Sequence, residues 1–318
     1  MMRPGFKPAL LHPRYWPMWL GLGVLWLIIR LPYSALLVLG RLVGWGMFHL
    51  MIERREIARI NLALCFPEWS EQRRAALLRE NFASNGIALF EMAMAWWWPT
   101  RRLERLAHID GLEHLQQAAA AGQGVVLMSM HFTTLEIGAA LLGRKATIDG
   151  MYREHRNAAF DYVQRRGRER HNADAVAVER EDVRSMLKSL RKGRAIWYAP
   201  DQDYGRKASV FVPLFGVPAA TVTATATFAR LGRAKVIPFT QKRLPAGKGY
   251  QLTIHPPLDA FPSGDDAVDA RRINQWVENE ILQQPEQYMW VHRRFKTRPE
   301  GETRPYPKRQ PRKRRQRS

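Results

Sequence analysis

The residues best suited to chemistry lie in Met130-His131-Phe132-Thr133-Thr134-Leu135-Glu136, directly after the apolar run at residues 124–130. An imidazole steered by a carboxylate is a general base: the acid fixes the tautomer and stabilises the imidazolium, and the opposite ring nitrogen takes a proton. On one regular helix, positions five apart stand about 140° from each other and do not meet. If His131 precedes the helix and Glu136 sits in its first turn, the carboxylate can reach back to the ring. The same Thr133-x-x-Glu136 spacing is a capping box, in which Glu136 bonds a backbone N–H and takes no part in chemistry. Spacing alone leaves both open.

Other chemistry is poorly represented. His131, His155, His171, His255 and His292 are scattered, nothing matches His-Glu-x-x-His or paired cysteines, and no Gly-x-Ser-x-Gly elbow occurs. Neither a metal nor a cofactor is expected. Arg153 and Arg156, then Arg165, Arg166, Arg168 and Arg170, offer the planar forks that bind phosphate through two hydrogen bonds, although the second group equally suits a solvated helix face. Tyr198-Ala199-Pro200-Asp201-Gln202-Asp203-Tyr204-Gly205 follows another apolar run. Its two acids can bind a cation, orient arginines or make a turn, and composition does not choose.

The elements that must position these groups alternate. Residues 124–130 read as a strand buried on both faces, with further strands at 148–152, 175–178, 195–198, 209–212, 236–240 and 250–254. Helical stretches fall at 70–98, 160–170, 181–191, 221–231 and 268–282. That order predicts an α/β fold, an αβα sandwich around a mostly parallel sheet. Ligands then collect where strands end, which is where His131 falls.

Ahead of this body, residues 15–52 are interrupted only by Arg30, Arg41 and His49. The uncharged piece at 15–29 makes roughly 22 Å of helix, Arg30 can snorkel, and Pro32 permits a bend before the second apolar piece. Trp16, Trp19 and Trp26 suit an interfacial anchor better than a cleaved signal peptide. Residues 53–64 then form a basic amphipathic segment fit for anionic headgroups. The expected organisation is an N-terminal membrane-anchoring helix (1–52), a catalytic domain (53–300) and a basic, disordered tail (301–318). The chain carries 50 Lys and Arg against 29 Asp and Glu, a net charge of +21, and one cysteine. This excludes a disulfide scaffold and calls for an anionic partner. Basic residues flank the apolar run on both sides, so the positive-inside rule does not set its topology.

Several segments together resemble the late acyltransferases of lipid A biosynthesis: His131-x4-Glu136, Tyr152-Arg153, Arg166-Gly167-Arg168, and Asp201-Gln202-Asp203-Tyr204-Gly205. To these are added the run from Phe211 to Thr221 and the run from Pro285 to Lys296. The likeness extends from about His12 to about Glu300. It implies an enzyme at the cytoplasmic side of the bacterial inner membrane, single-pass or monotopic. That enzyme moves a fatty acyl chain, lauroyl or else palmitoleoyl or myristoyl, from acyl carrier protein to a hydroxyl of a 3-hydroxyacyl chain on Kdo2-lipid IVA. In this reading His131 is the base, Glu136 orients it, and no acyl-enzyme forms. By family position Arg168, Asp201 and Arg153 bind substrate, with Arg168 meeting phosphate or bracing Asp201. The partners are acyl carrier protein, the lipid acceptor and inner-membrane lipids, with no nucleic acid. The competing functions are a non-catalytic basic protein of the membrane surface and a glycerolipid acyltransferase or lipid hydrolase.

Overall fold

The computed structural model describes residues 5–152, 154–172, 174–175, 177–179 and 182–307; Arg153 and most of the basic tail lie outside them. The apolar N-terminus forms two helices, α1 (Trp16–Ile28) and α2 (Tyr33–Leu50), divided at Pro32, the residue that caps α2. α2 is long and apolar enough to cross a membrane by length and composition. After α3 (Ile52–Cys65) comes α4 (Glu71–Trp97), which begins at Ser70, whose Oγ accepts the Arg73 N–H at 3.2 Å, and stops before Pro99. α2 lies directly on α4. A Cβ added to Gly44 would meet the Phe82 carbonyl at 2.3 Å, and one added to Gly86 would meet the Gly40 carbonyl at 2.1 Å. Only glycine lets the two backbones approach so closely.

The body opens with α5 (Thr100–Glu104), β1 (Ala107–Asp110) and α6 (Leu112–Ala120). It continues through β2 (Gly124–Met128), α7 (Leu135–Leu142), β3 (Ile148–Tyr152), α8 (Ala158–Glu169), β4 (Ala177–Glu179), α9 (Val183–Arg191) and β5 (Ala195–Tyr198). A hairpin of β6 (Ser209–Leu214) and β7 (Val217–Val222) follows, then α10 (Ala224–Gly232), β8 (Ala234–Arg243), β9 (Tyr250–Ile254) and α11 (Asp266–Gln283). Seven strands form one sheet in the order β1-β9-β8-β2-β5-β3-β4. Every pairing is parallel except β8 with β9.

β2 is central, and its alternation explains the layers. Val125 and Leu127 join a core with Phe90, Met94, Ile137 and Leu141, while Val126 and Met128 join one with Leu62, Phe82, Phe228 and Ile273. Both sheet faces are therefore covered by helices, as the αβα expectation requires. Leu22, Ile29 and Leu36 of the apolar N-terminus belong to the first of these cores. The expected strand at residues 209–212 forms within β6, but it pairs with β7 as a separate antiparallel hairpin instead of joining the main sheet. The expected helix over 221–231 begins only at Ala224, because Thr221 and Val222 finish β7.

Candidate active site at the ends of β2 and β5

β2 and β5 are parallel neighbours with Met128 opposite Tyr198, and the ladder continues with the Ser129 N–H donating to the Tyr198 carbonyl at 2.8 Å. His131 and Asp201 each follow their strand's paired residue by three positions, so the register alone brings them together. Asp201 Oδ1 lies 2.6 Å from His131 Nδ1, and Oδ2 accepts the His131 backbone N–H at 3.0 Å. The carboxylate is buried, whereas the imidazole keeps 18% of its side chain exposed. The ring stands edge-on to Trp197, centroids 5.9 Å apart, and Nε2 has no protein partner among the described residues. With Nδ1 engaged by an acceptor, the tautomer that leaves an Nε2 lone pair is favoured.

The turn holding His131 is tethered on two sides. The Thr133 N–H donates to the Gln287 carbonyl at 2.7 Å, and the Met289 N–H donates to the His131 carbonyl at 3.0 Å. From β8, the Gln241 carbonyl accepts the Thr134 hydroxyl at 2.7 Å, and its side-chain oxygen accepts the Ser129 hydroxyl at 3.1 Å. Thr133 also shares a 2.8 Å hydrogen bond with Ser84, which accepts from Arg243, itself paired with buried Glu91 at 2.6 and 2.7 Å. Such satisfied buried networks favour one geometry over alternatives.

Burial opposes ionisation of Asp201, but the His131 ring, its hydrogen bonds and the Arg294 charge outweigh that and hold the carboxyl below its usual range. Arg294 is buried. It donates to the Ala220 carbonyl at 2.8 Å and the Thr221 hydroxyl at 3.0 Å, both neutral, and its Nε has no acceptor among the described residues. Burial pushes His292 in the same C-terminal segment down to about 4, so it is neutral beside the dyad. Sequence reasoning assigned neither residue a role.

Glu136 takes a different place from the one expected. Its carboxylate pairs bidentately with Arg168 of α8, with Nε at 3.1 and 3.2 Å and Nη2 closing the fork, and accepts from Trp96 Nε1 at 3.4 Å. The acid that steers His131 is thus Asp201. The reason is local: α7 starts at Leu135, so Glu136 follows the helix away from the turn, while β5 delivers Asp201 to the ring. The capping box is absent as well, because α7 is capped by Thr134 with no side-chain hydrogen bond. Arg168 pairs with Glu136, where a substrate phosphate or Asp201 was expected. Glu136 and Arg168 line a cavity of about 180 Å³ whose other walls include Leu127, Ala139, Leu142 and Trp197. Trp197 thus touches the imidazole and also lines this apolar space. Among the described residues no group of three His, Cys, Asp or Glu side chains is placed to hold a metal ion.

The family described as bacterial lipid A biosynthesis acyltransferase matches residues 3–297. The lipid A biosynthesis lauroyltransferase of Escherichia coli K12 is 48% identical over 299 residues, covering 94% of this chain and 97% of that protein. The palmitoleoyltransferase of the same organism is 43% identical over 300 residues, covering 94% and 97%. Its myristoyltransferase is 33% identical over 310 residues, covering 95% and 94%. The chain belongs to the bacterial lipid A biosynthesis acyltransferases and is an O-acyltransferase of that pathway.

Proposed function

We propose that this enzyme transfers a lauroyl chain from acyl carrier protein to a hydroxyl of a 3-hydroxyacyl chain on Kdo2-lipid IVA. The observation that carries the reading is the His131–Asp201 pair at adjoining strand ends, beside Trp197, which also lines an apolar cavity. The lauroyl choice follows the 48% identical relative. His131 Nε2 takes the proton of the acceptor hydroxyl as its oxygen attacks the thioester carbonyl. The C–O bond forms, the tetrahedral intermediate collapses, and the C–S bond breaks. The departing thiolate of the carrier takes the proton back from the imidazolium. Asp201 holds the ring and offsets its charge, and a base so positioned is worth about 10² to 10⁴ in rate. No covalent acyl-enzyme is required.

Glu136 acts through Arg168, fixing a partly exposed guanidinium beside the apolar cavity, where it suits a phosphate of the acceptor. Arg153, outside the described residues, is a further anion-binding candidate. The enzyme works at the cytoplasmic face of the inner membrane, with residues 1–52 as its anchor and 53–300 as its catalytic part. Its excess of positive charge favours encounter with a phosphorylated lipid and an acidic carrier. The test is to incubate purified enzyme with Kdo2-lipid IVA and lauroyl, myristoyl or palmitoleoyl carrier protein and weigh the product. A gain of one lauroyl group supports the reading. No transfer from any carrier-bound donor overturns it.

A further inference from the structure

α2 has two unlike sides. One is covered along its length: Gly40 and Gly44 sit on the backbone of α4, Phe48 packs edge-on to Phe82 at 5.5 Å, and Tyr33 reaches Trp98 and Tyr250 at 6.4 and 6.1 Å. The other presents Val38, Leu42 and Trp45, at i, i+4 and i+7, which are 58%, 59% and 68% exposed. α1 repeats the pattern with Trp16, Leu20, Val24 and Leu27. These stripes form an apolar surface that water does not favour and the body of the chain does not cover.

A charge sits where a spanning helix cannot readily hold one. Arg41, near the middle of α2, pairs with Glu80 of α4 through two 3.0 Å contacts, and both side chains are more than half exposed. α2 has 18 residues, about 27 Å of helix, against a hydrocarbon core of about 30 Å. A perpendicular α2 would place Arg41 and Glu80 near the bilayer centre and draw the α4 segment beside it, with Arg79, Glu80 and Asn81, into hydrocarbon. Each central charge costs about 2.5 to 3.5 kcal/mol on insertion scales. A helix lying along the surface instead buries its stripe by about 5 to 10 Å and leaves the flanking charges in the headgroups. The basic groups at its borders agree with such a placement: Arg30 stacks on Trp26 at 4.0 Å, Arg102 donates to the Leu31 carbonyl at 2.6 Å, and Arg55 donates to the Phe48 carbonyl at 3.1 Å.

We infer that α1 and α2 lie in the plane of a single leaflet of an anionic bilayer, so that the whole chain stays on one side of the membrane. The inference rests on the reading that the enzyme works at the inner membrane, and it decides between the spanning and monotopic anchors. It gives the acceptor lipid a route to the site that crosses no bilayer midplane.

The test uses the full-length protein in cells. Its sole cysteine, Cys65, is buried, so single cysteines introduced by Gly5→Cys, Arg30→Cys and Met51→Cys report their own positions. Each variant is treated with a charged maleimide that enters the periplasm but not the cytoplasm, in intact cells and in inside-out vesicles. Labelling of all three in inside-out vesicles and none in intact cells is expected. Labelling of any one in intact cells with the others protected shows a crossing and overturns the inference. Labelling of all three in intact cells keeps the single-leaflet geometry and overturns the cytoplasmic reading. Recovery of the protein in the soluble fraction overturns the membrane reading and this inference with it.

Discussion

Asp201 meets His131 twice, its Oδ1 on the ring Nδ1 at 2.6 Å and its Oδ2 on the backbone N–H at 3.0 Å. One carboxylate thus fixes both the tautomer of the imidazole and the path of the chain that carries it. Asp201→Asn keeps a weaker, neutral acceptor at one contact and places an N–H donor at the other. Its kcat should fall by about 10² to 10⁴ with the acceptor KM little changed. Steady-state kinetics at saturating donor check this, and a loss confined to KM would remove Asp201 from the base.

Glu136 and Asp201 serve different partners, so their effects should combine differently. Glu136→Gln with Arg168→Ala should be no worse than Arg168→Ala alone, since Glu136 works through that guanidinium. Glu136→Gln should add to Asp201→Asn, each lowering kcat/KM by its own factor. A double-mutant cycle reads both. Saturation between Glu136 and Asp201 would return Glu136 to the imidazole.

Much of this site could be read from the amino acids, and the part that could not has an identifiable cause. His131 at the end of a strand was legible because residues 124–130 are almost continuously apolar and the histidine follows directly. The carboxylate beside the ring was expected to be that of Glu136, near in sequence, whereas it is that of Asp201, near only through the β2–β5 register. The strands at 195–198 and 250–254 coincide with β5 and β9, but β1 and β7 were missed. β1 is a four-residue edge strand of alternating burial, and β7 resembles the start of the helix that follows it. The tethers from Gln241 and Gln287 are long-range contacts, for which local spacing carries no signal.

Arg294 places a buried positive charge among neutral acceptors, and Asp201 feels it. Arg294→Met removes a cation that helps hold the Asp201 carboxyl low. That carboxyl should then take its proton at higher pH, moving the low-pH loss of kcat/KM upward. Arg294→Lys keeps the charge and should leave the limb closer to wild type. An unshifted profile in Arg294→Met would limit the residue to packing.

His292 links stability to pH. Burial holds its folded value at about 4 against 6.5 for the exposed group. Between those values the unfolded chain binds a proton that the folded chain does not, so stability should fall as pH drops below about 6.5 and rise again with pH. His171 and His255, also lowered by burial, act in the same direction. Melting temperatures from pH 7.5 to 4.5 test this, and His292→Gln should flatten the decline.

The contact between α2 and α4 should tolerate no side chain. Gly86→Val would drive its Cβ into the Gly40 carbonyl. Overpacking of this kind costs about 1 to 3 kcal/mol or more. Thermal unfolding in detergent should show the loss, while Gly23→Val on α1, where nothing lies within 4 Å, should leave the melting temperature unchanged.

The proposed chemistry turns on His131 Nε2 taking the proton from the acceptor hydroxyl. Its most direct measurement is single-turnover acyl transfer by purified His131→Gln enzyme, with the product followed by mass spectrometry and folding by melting temperature. The variant should be folded and membrane-bound, with a transfer rate lowered by at least about 10². Transfer within a few-fold of wild type by that folded variant would contradict it.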